Sequence, residues 1–209
     1  MVIIAVRHSV IMEERFIASI IKLYTKVRYF SYICNGSNAL LYMKIGVISD
    51  THNTFDEQLR GFLAPCDEIW HAGDIGSLEL ADEIAAFKPL KAVYGNIDGG
   101  ITRRVYHDFS LIEVEGVKVL MTHIGGYPHH YQPKALQHIH ASRPKIFIAG
   151  HSHILKVIYD PIYDLLFINP GAAGQYGIHR TRTAVRFDIE AGEIKNMEIG
   201  EWPRARDNE

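Results

Sequence analysis

Cysteine is scarce in this chain. Its 209 residues contain two, Cys34 and Cys66, with neither metal-ligand spacing nor the numbers for a disulfide framework. That scarcity fits a reducing compartment, and a cytoplasmic location is expected. No apolar stretch reaches the roughly 20 residues that a membrane-spanning helix needs. Nor does charge of one sign dominate: 22 basic against 24 acidic side chains leave a net charge of −2, without the basic footprint of a nucleic-acid binder. A Ser nucleophile elbow, a Gly-rich loop of P-loop type, internal repeats and low-complexity segments are all missing.

What remains is a chain that is 47% hydrophobic and long enough for one ordinary domain with a proper core. It carries 12 histidines, a high count. Residues 1–42 read differently from the rest. Arg7 and His8 interrupt an apolar start, and Lys22, Lys26 and Arg28 break up a stretch that could form a helix over residues 12–29. This pattern suits neither a membrane helix nor a signal-peptide core. Residues 1–42 are expected to be an extension outside the catalytic domain, with the natural start at Met43. Residues 43–200 form the expected domain, and 201–209 a polar, frayed tail.

From Lys44 onward the pattern is regular. Strand-like runs at 44–49, 68–72 and 90–94 alternate with helical segments at 54–63 and 77–87. Leu78, Ala81, Ile84 and Ala85 recur there at helical spacing. Such a βαβαβ unit predicts parallel strands. Residues 108–115 and 117–122 flank Gly116 and predict an antiparallel hairpin. A helix from Pro133 to about 141 follows, then strands at 145–149, 154–159, 164–168, 183–189 and 194–199. Parallel units first and antiparallel strands later predict two sheets packed face to face, with helices outside.

Chemistry-bearing residues gather where the runs stop. Asp50 and His52 follow the first strand, Gly73-Asp74 the second and Gly95-Asn96 the third. His123 ends a later strand, and Gly150-His151-Ser152-His153 ends another. In layered α/β folds ligands bind outside the carboxyl ends of the strands. Alone, each motif has an ordinary explanation: Asp50 as a helix cap or turn residue, Gly-Asp and Gly-Asn as turn dipeptides. Together, at successive strand ends, they predict a metal site. Imidazole with carboxylate suits Mn, Fe, Zn, Co or Ni, with manganese placed first, and argues against calcium. Two such ions about 3.5–4 Å apart can orient a phosphate and activate water, so no Ser or Cys nucleophile is required. The expected nucleophile is then a metal-bridging hydroxide. Asp74, central in the set and preceded by a glycine, is the natural bridging carboxylate.

In this order, Asp50-x-His52, Gly73-Asp74, Gly95-Asn96-x-Asp98, His123 and Gly150-His151-x-His153 resemble the calcineurin-like metallophosphoesterases, in particular the short YfcE-like phosphodiesterase branch. The resemblance covers residues 43–199. It implies an α/β (α+β) fold, a four-layer αββα sandwich of two mixed β-sheets flanked by helices. It also implies one metal held by Asp50, His52, Asp74 and His153, and a second held by Asp74, Asn96, His123 and His151. One departure stands out. Many relatives carry a histidine where this chain has Ile97, which removes an obvious proton donor and favours esters with good leaving groups. The substrate implied is a small phosphoester, cleaved as a diester or, on the same site, a monoester. A non-catalytic interaction module of this fold, as in the retromer subunit, is the rival reading; a homo-oligomer stays open.

Several residues carry alternative readings. Asp98 orients a ligand or caps a turn. Asn53 donates to a substrate phosphate or caps the next helix. His129 or His130, on the loop after His123, could supply the missing proton. His71 reads as a satisfied core histidine, and His138 and His140 as surface. Arg180, Arg182 and Arg186 have even spacing; a solvated face is expected, with an anion-binding face as the alternative. Asn169-Pro170-Gly171 is placed as a brace behind the site.

Overall fold

The structure is a computed structural model that describes residues 42–204; the possible helix over 12–29 and the rest of the expected extension before residue 42 lie outside the described residues. Three parallel strands, β1 (Tyr42–Ile48), β2 (Glu68–His71) and β3 (Leu90–Ala92), are wound with two helices, α1 (Glu57–Leu63) and α2 (Leu78–Phe87). Each helix starts on a side-chain cap: Asp56 accepts from the Leu59 N–H and Ser77 from the Leu80 N–H. The expected hairpin is β4 (Phe109–Val114) with β5 (Val117–Thr122), turning at Glu115 and Gly116. Both turn residues have positive φ, 48° and 77°, as a two-residue hairpin loop requires.

Two short pieces escape the sequence pattern because neither is long enough to show periodicity. They are α3 (Thr102–Val105) and a small hairpin of β6 (Gly126–Tyr127) with β7 (His130–Tyr131). Next come α4 (Pro133–Ser142), opened by its proline, then β8 (Ile146–Ala149), β9 (Leu155–Asp160), β10 (Leu165–Pro170), β11 (Thr181–Glu190) and β12 (Glu193–Pro203).

Two mixed five-stranded sheets result, ordered β12-β11-β1-β2-β3 and β4-β5-β8-β10-β9. Their facing sides share one apolar core, with Val47, Trp70 and Phe187 opposite Val119, Met121 and Ile148. A second core seals α1 and α2 onto the first sheet through Leu59, Leu63, Ile69 and Ile84. A third seals α4 onto the second sheet through Leu120, Ala135, Ile139 and Phe147. Three cores between four layers make the αββα sandwich. Among the described residues no helix is long and apolar enough to cross a membrane.

Two expectations are corrected. The tail does not begin at 201: Glu201, Trp202 and Pro203 continue β12 and pair with Thr183, Arg182 and Thr181 on β11. Trp202 explains this, since its ring packs on Phe62 of α1 at 5.5 Å between centroids. Nor do the arginines share a solvated face. Arg182 is fully buried and reaches Asp56 Oδ2 at 2.6 Å and Gln58 Oε1 at 3.1 Å, while Arg186 donates to the Phe62 carbonyl at 2.7 Å. The even positions of β11 face α1, whose acceptors hold both guanidinium groups; Arg180 alone is exposed.

Candidate metal centre

The site lies where the parallel strands of both sheets end. Past β1 the backbone of Asp50, His52 and Asn53 donates in turn to the carbonyls of Gly73, Asp74 and Ile75, which follow β2. The two loops are therefore zipped together. Beneath them Gly73 N–H donates to His71 Nδ1 at 3.1 Å. That leaves the His71 Nε2–H to donate to Thr51 Oγ1 at 2.8 Å, and the hydroxyl passes a hydrogen bond on to the Ile75 carbonyl. Burial pushes the His71 pKa down to about 4, so the ring is neutral. It is the satisfied core histidine expected, and it braces both loops.

Strain concentrates at this edge. Asp50, His52, Asp74, His151 and His153 all have positive φ, between 44° and 68°. Asp and His tolerate this region better than most side chains, yet such backbone costs free energy and persists where surrounding contacts enforce it. Close approach adds to the constraint. A Cβ on Gly95 would lie 2.0 Å from Asp74 Oδ1, and one on Gly150 2.0 Å from Ser49 Oγ. Only glycine lets the third and eighth strands end against these loops.

The side chains meet in two groups. Asp50, His52 and His153 offer ligand atoms within 4.8 Å of one another, and so do Asp74, His123 and His151. His153 Nε2 lies 3.1 Å from Asp50 Oδ1 but outside hydrogen-bond alignment, so that buried oxygen has no hydrogen-bond partner. Buried His52 Nε2 is orphaned as well. Asp74 turns one oxygen to each group: Oδ1 is 3.3 Å from His123 Nε2, and Oδ2 is 3.9 Å from His52 Nε2.

His123 shows what the arrangement wants. Its Nδ1 lies 2.7 Å from the Ala72 carbonyl and so carries a hydrogen, which points the Nε2 lone pair inward. There it faces Asn96 Oδ1 at 3.1 Å, Asp74 Oδ1 and, at 3.9 Å, Asp50 Oδ1. A lone pair facing three oxygens calls for a positive charge between them. Burial lowers the His123 pKa, but Asp74, Asp50 and the Ala72 carbonyl outweigh it and the pKa rises. Burial likewise works against ionised Asp74, yet His123, the Ile97 N–H and His52 hold its carboxyl below the usual range. For His52 burial wins over Asp74 and Asp50, and the pKa falls. A mixed nitrogen and oxygen donor set with orphaned buried atoms fits divalent transition ions.

The remaining residues sort by contact. Asp98 does not reach the donor atoms. It accepts from the backbone N–H groups of Ile75, Gly76 and Gly95 at 3.2, 2.8 and 2.7 Å, stapling the loops after β2 and β3. Asn53 is exposed at the rim and does not cap α1, since Asp56 does. His129 and His130 lie on the β6–β7 hairpin, outside both groups, with the His130 ring against Tyr127. His138 is half-buried, stacked on Phe109 at 4.1 Å, whereas His140 is exposed as expected. Asn169 donates to the Gly150 carbonyl at 2.8 Å and Ser152 Oγ at 3.0 Å, bracing the His151 loop from behind.

Sequence reading missed Arg103, which grips the Asn96 loop through the carbonyls of Gly95, Asn96 and Asp98. It also missed Tyr176, whose ring lies 5.0 Å from that of His52. Neither sits in a motif, and both arrive from loops whose paths the sequence does not state.

Residues 43–192 match the family model of the calcineurin-like phosphoesterase superfamily domain. The chain belongs to this superfamily. Among curated relatives of this superfamily member, a phosphodiesterase of Methanocaldococcus jannaschii is 28% identical over 150 residues, 64% of this chain and 86% of the relative. A probable metallophosphoesterase of Methanothermobacter thermautotrophicus is 30% identical over 139 residues, 62% and 77% of the two chains. A solved archaeal phosphodiesterase superposes with a TM-score of 0.60 at 25% identity, over 75% of this chain and 99% of its own. Vacuolar protein sorting 29 of Chaetomium thermophilum gives 0.61 at 15% identity, covering 78% and 100%, a likeness of fold alone. The superfamily thus supplies a metal-dependent phosphoesterase, and the two side-chain groups are candidate metal-ligand clusters.

Proposed function

We propose that this chain is a binuclear metal-dependent phosphodiesterase acting on a small phosphoester. Asp50, His52, Asp74 and His153 hold one divalent transition ion; Asp74, Asn96, His123 and His151 hold the other; manganese is the first choice. The observation that carries the proposal is the placement of Asp74, one carboxylate oxygen towards each group. Two bound ions supply Lewis acidity towards water and the phosphoryl oxygens, as an in-line displacement needs.

The protein's own residues do the rest. Asp50 and Asp74 offset the repulsion between two cations, and the Ala72 carbonyl fixes the tautomer that turns His123 Nε2 inward. Asp98, Asn169 and His71 hold the ligand loops at their strained geometry. Asn53 and Asn96, both exposed beside the groups, contact phosphate oxygens. Ile97, half-exposed, donates its backbone N–H to Asp74 Oδ1 at 3.0 Å but offers no side-chain proton. A leaving group that departs without protonation is therefore preferred, and the relatives named as phosphodiesterases support the choice of a diester.

The test is turnover of bis(4-nitrophenyl) phosphate against 4-nitrophenyl phosphate with Mn, Ni, Zn or Mg, before and after chelation. Faster cleavage of the diester, lost on chelation and restored by a transition metal, is the expected result. Preference for the monoester would turn the assignment to a phosphomonoesterase. Folded protein that cleaves neither with any metal would leave the fold serving partner binding instead.

A further inference from the structure

Two cavities open on the candidate centre, and one side chain divides them. A cavity of about 350 Å³ meets the centre at His151, and another of about 310 Å³ meets it at Asn96 and His123. Ile124, directly after His123, lines both and is 43% exposed. Each volume falls where pockets for drug-sized ligands begin, at roughly 300 Å³.

The larger cavity has a distinctive chemistry. Ile124, Ile154, Tyr127 and Phe167 give it apolar walls. Lys156 enters it with the ammonium 4.5 Å from the centroid of the Tyr127 ring. Among the described residues no acidic side chain lines this cavity. The smaller cavity differs: the charge of its Lys134 is met by Asp108, and its Arg103 is engaged by three carbonyls.

We infer that the cavity between Ile124 and Lys156 is a subsite for one organic arm of a phosphodiester, an arm that combines an apolar body with an anionic group. The second arm passes to the other side of Ile124, into the cavity at Asn96. This rests on the phosphodiesterase reading of the centre and adds to it the class of substrate. An ammonium among apolar walls recognises such an arm because the body is desolvated while the charge finds a partner. A charge-assisted hydrogen bond of this kind is worth about a tenfold gain in affinity.

Two non-hydrolysable probes test it, benzyl(methyl)phosphinate and (4-carboxybenzyl)(methyl)phosphinate, in which a methylene replaces the ester oxygen, titrated calorimetrically into the full chain with and without manganese. Wild type is expected to bind the carboxylated probe about tenfold more tightly. Lys156→Met should remove that preference and Lys156→Arg should keep it; both variants are first checked for an unchanged melting curve. Equal affinity of the two probes for wild type, or a preference that survives Lys156→Met, overturns the subsite. Turnover of bis(4-nitrophenyl) phosphate is measured in parallel. Its absence with every metal counts against the phosphodiesterase reading, whereas turnover without probe preference counts against the subsite alone.

Discussion

His123 Nε2 and Asp74 Oδ1 stand 3.3 Å apart at the ends of strands from opposite sheets, one lone pair facing another atom that also seeks a cation. The sandwich brings them together by packing the two sheets through a shared apolar core. A bound ion or a proton relieves the contact, and catalysis on the proposed mechanism needs the ion.

Substitution at the shared carboxylate follows directly. Asp74→Asn and His151→Ala are each expected to lower turnover by at least about a thousandfold while the fold persists, since neither side chain belongs to an apolar core. Circular dichroism and melting curves check the fold, and metal analysis should show depleted content. Near-wild-type rates in either variant with added metal would refute the assignment.

Glycine at 95 gives a second test with a built-in control. In Gly95→Ala the new Cβ would meet Asp74 Oδ1 at 2.0 Å and the Asp74 backbone nitrogen at 2.3 Å, so the carboxylate must move. A loss of metal affinity on the order of tenfold or more is expected, measured by titration. Gly61, inside α1, is the control: a Cβ added there would meet no atom within 4 Å. Gly61→Ala should therefore raise stability by about 0.5–1 kcal/mol, read from the urea midpoint.

Asp56 does two jobs, capping α1 and answering the buried Arg182 guanidinium. Burial alone would raise its pKa, but Arg182 and the Leu59 N–H hold it low. Removing a cap costs about 1 kcal/mol. Asp56→Ala also strands a charge with no access to solvent, so a loss of about 2–4 kcal/mol is expected, discounted because Asp56 itself is about a third exposed. Asp56→Asn keeps the cap and should fall between. Urea unfolding of the three proteins decides it.

His71 predicts a pH effect on stability. Its folded pKa is about 4 against an ordinary 6.5, so between those values the unfolded chain binds the extra proton. Its contribution is complete above pH 6.5 and is lost as pH falls towards 4. Asp98, Asp50, Asp74 and His123 surround the ring electrostatically, and their titration adds to the observed slope. The difference between wild type and His71→Gln isolates it: the variant should be less stable at pH 7 and lose less on acidification to pH 5. A parallel decline in both proteins would argue against a neutral, bracing imidazole.

Much of this was readable from residues alone. Short apolar runs broken by Asp50, Asp74, Asn96, His123 and His151 announced strands ending in ligand-type side chains, because a strand delivers its last residue to one edge of the sheet whatever the rest of the chain does. Alternation of helices and strands announced the layers for the same local reason. Partnership was a different matter. The period-two spacing of Arg182 and Arg186 showed correctly that they share a face, yet only packing revealed that this face meets α1 and not water. Asp98 could be read as orienting a ligand or capping a turn, and tertiary contacts gave it three backbone N–H groups in the loops after β2 and β3. The cavities on either side of Ile124, and Lys156 within one of them, depend on how separate loops fold against each other. Sequence determined which chemistry the strand ends carry, since side-chain type and strand period are local properties. Distances, tautomers and pocket walls were decided by tertiary structure, because they arise between segments that can lie more than 100 residues apart.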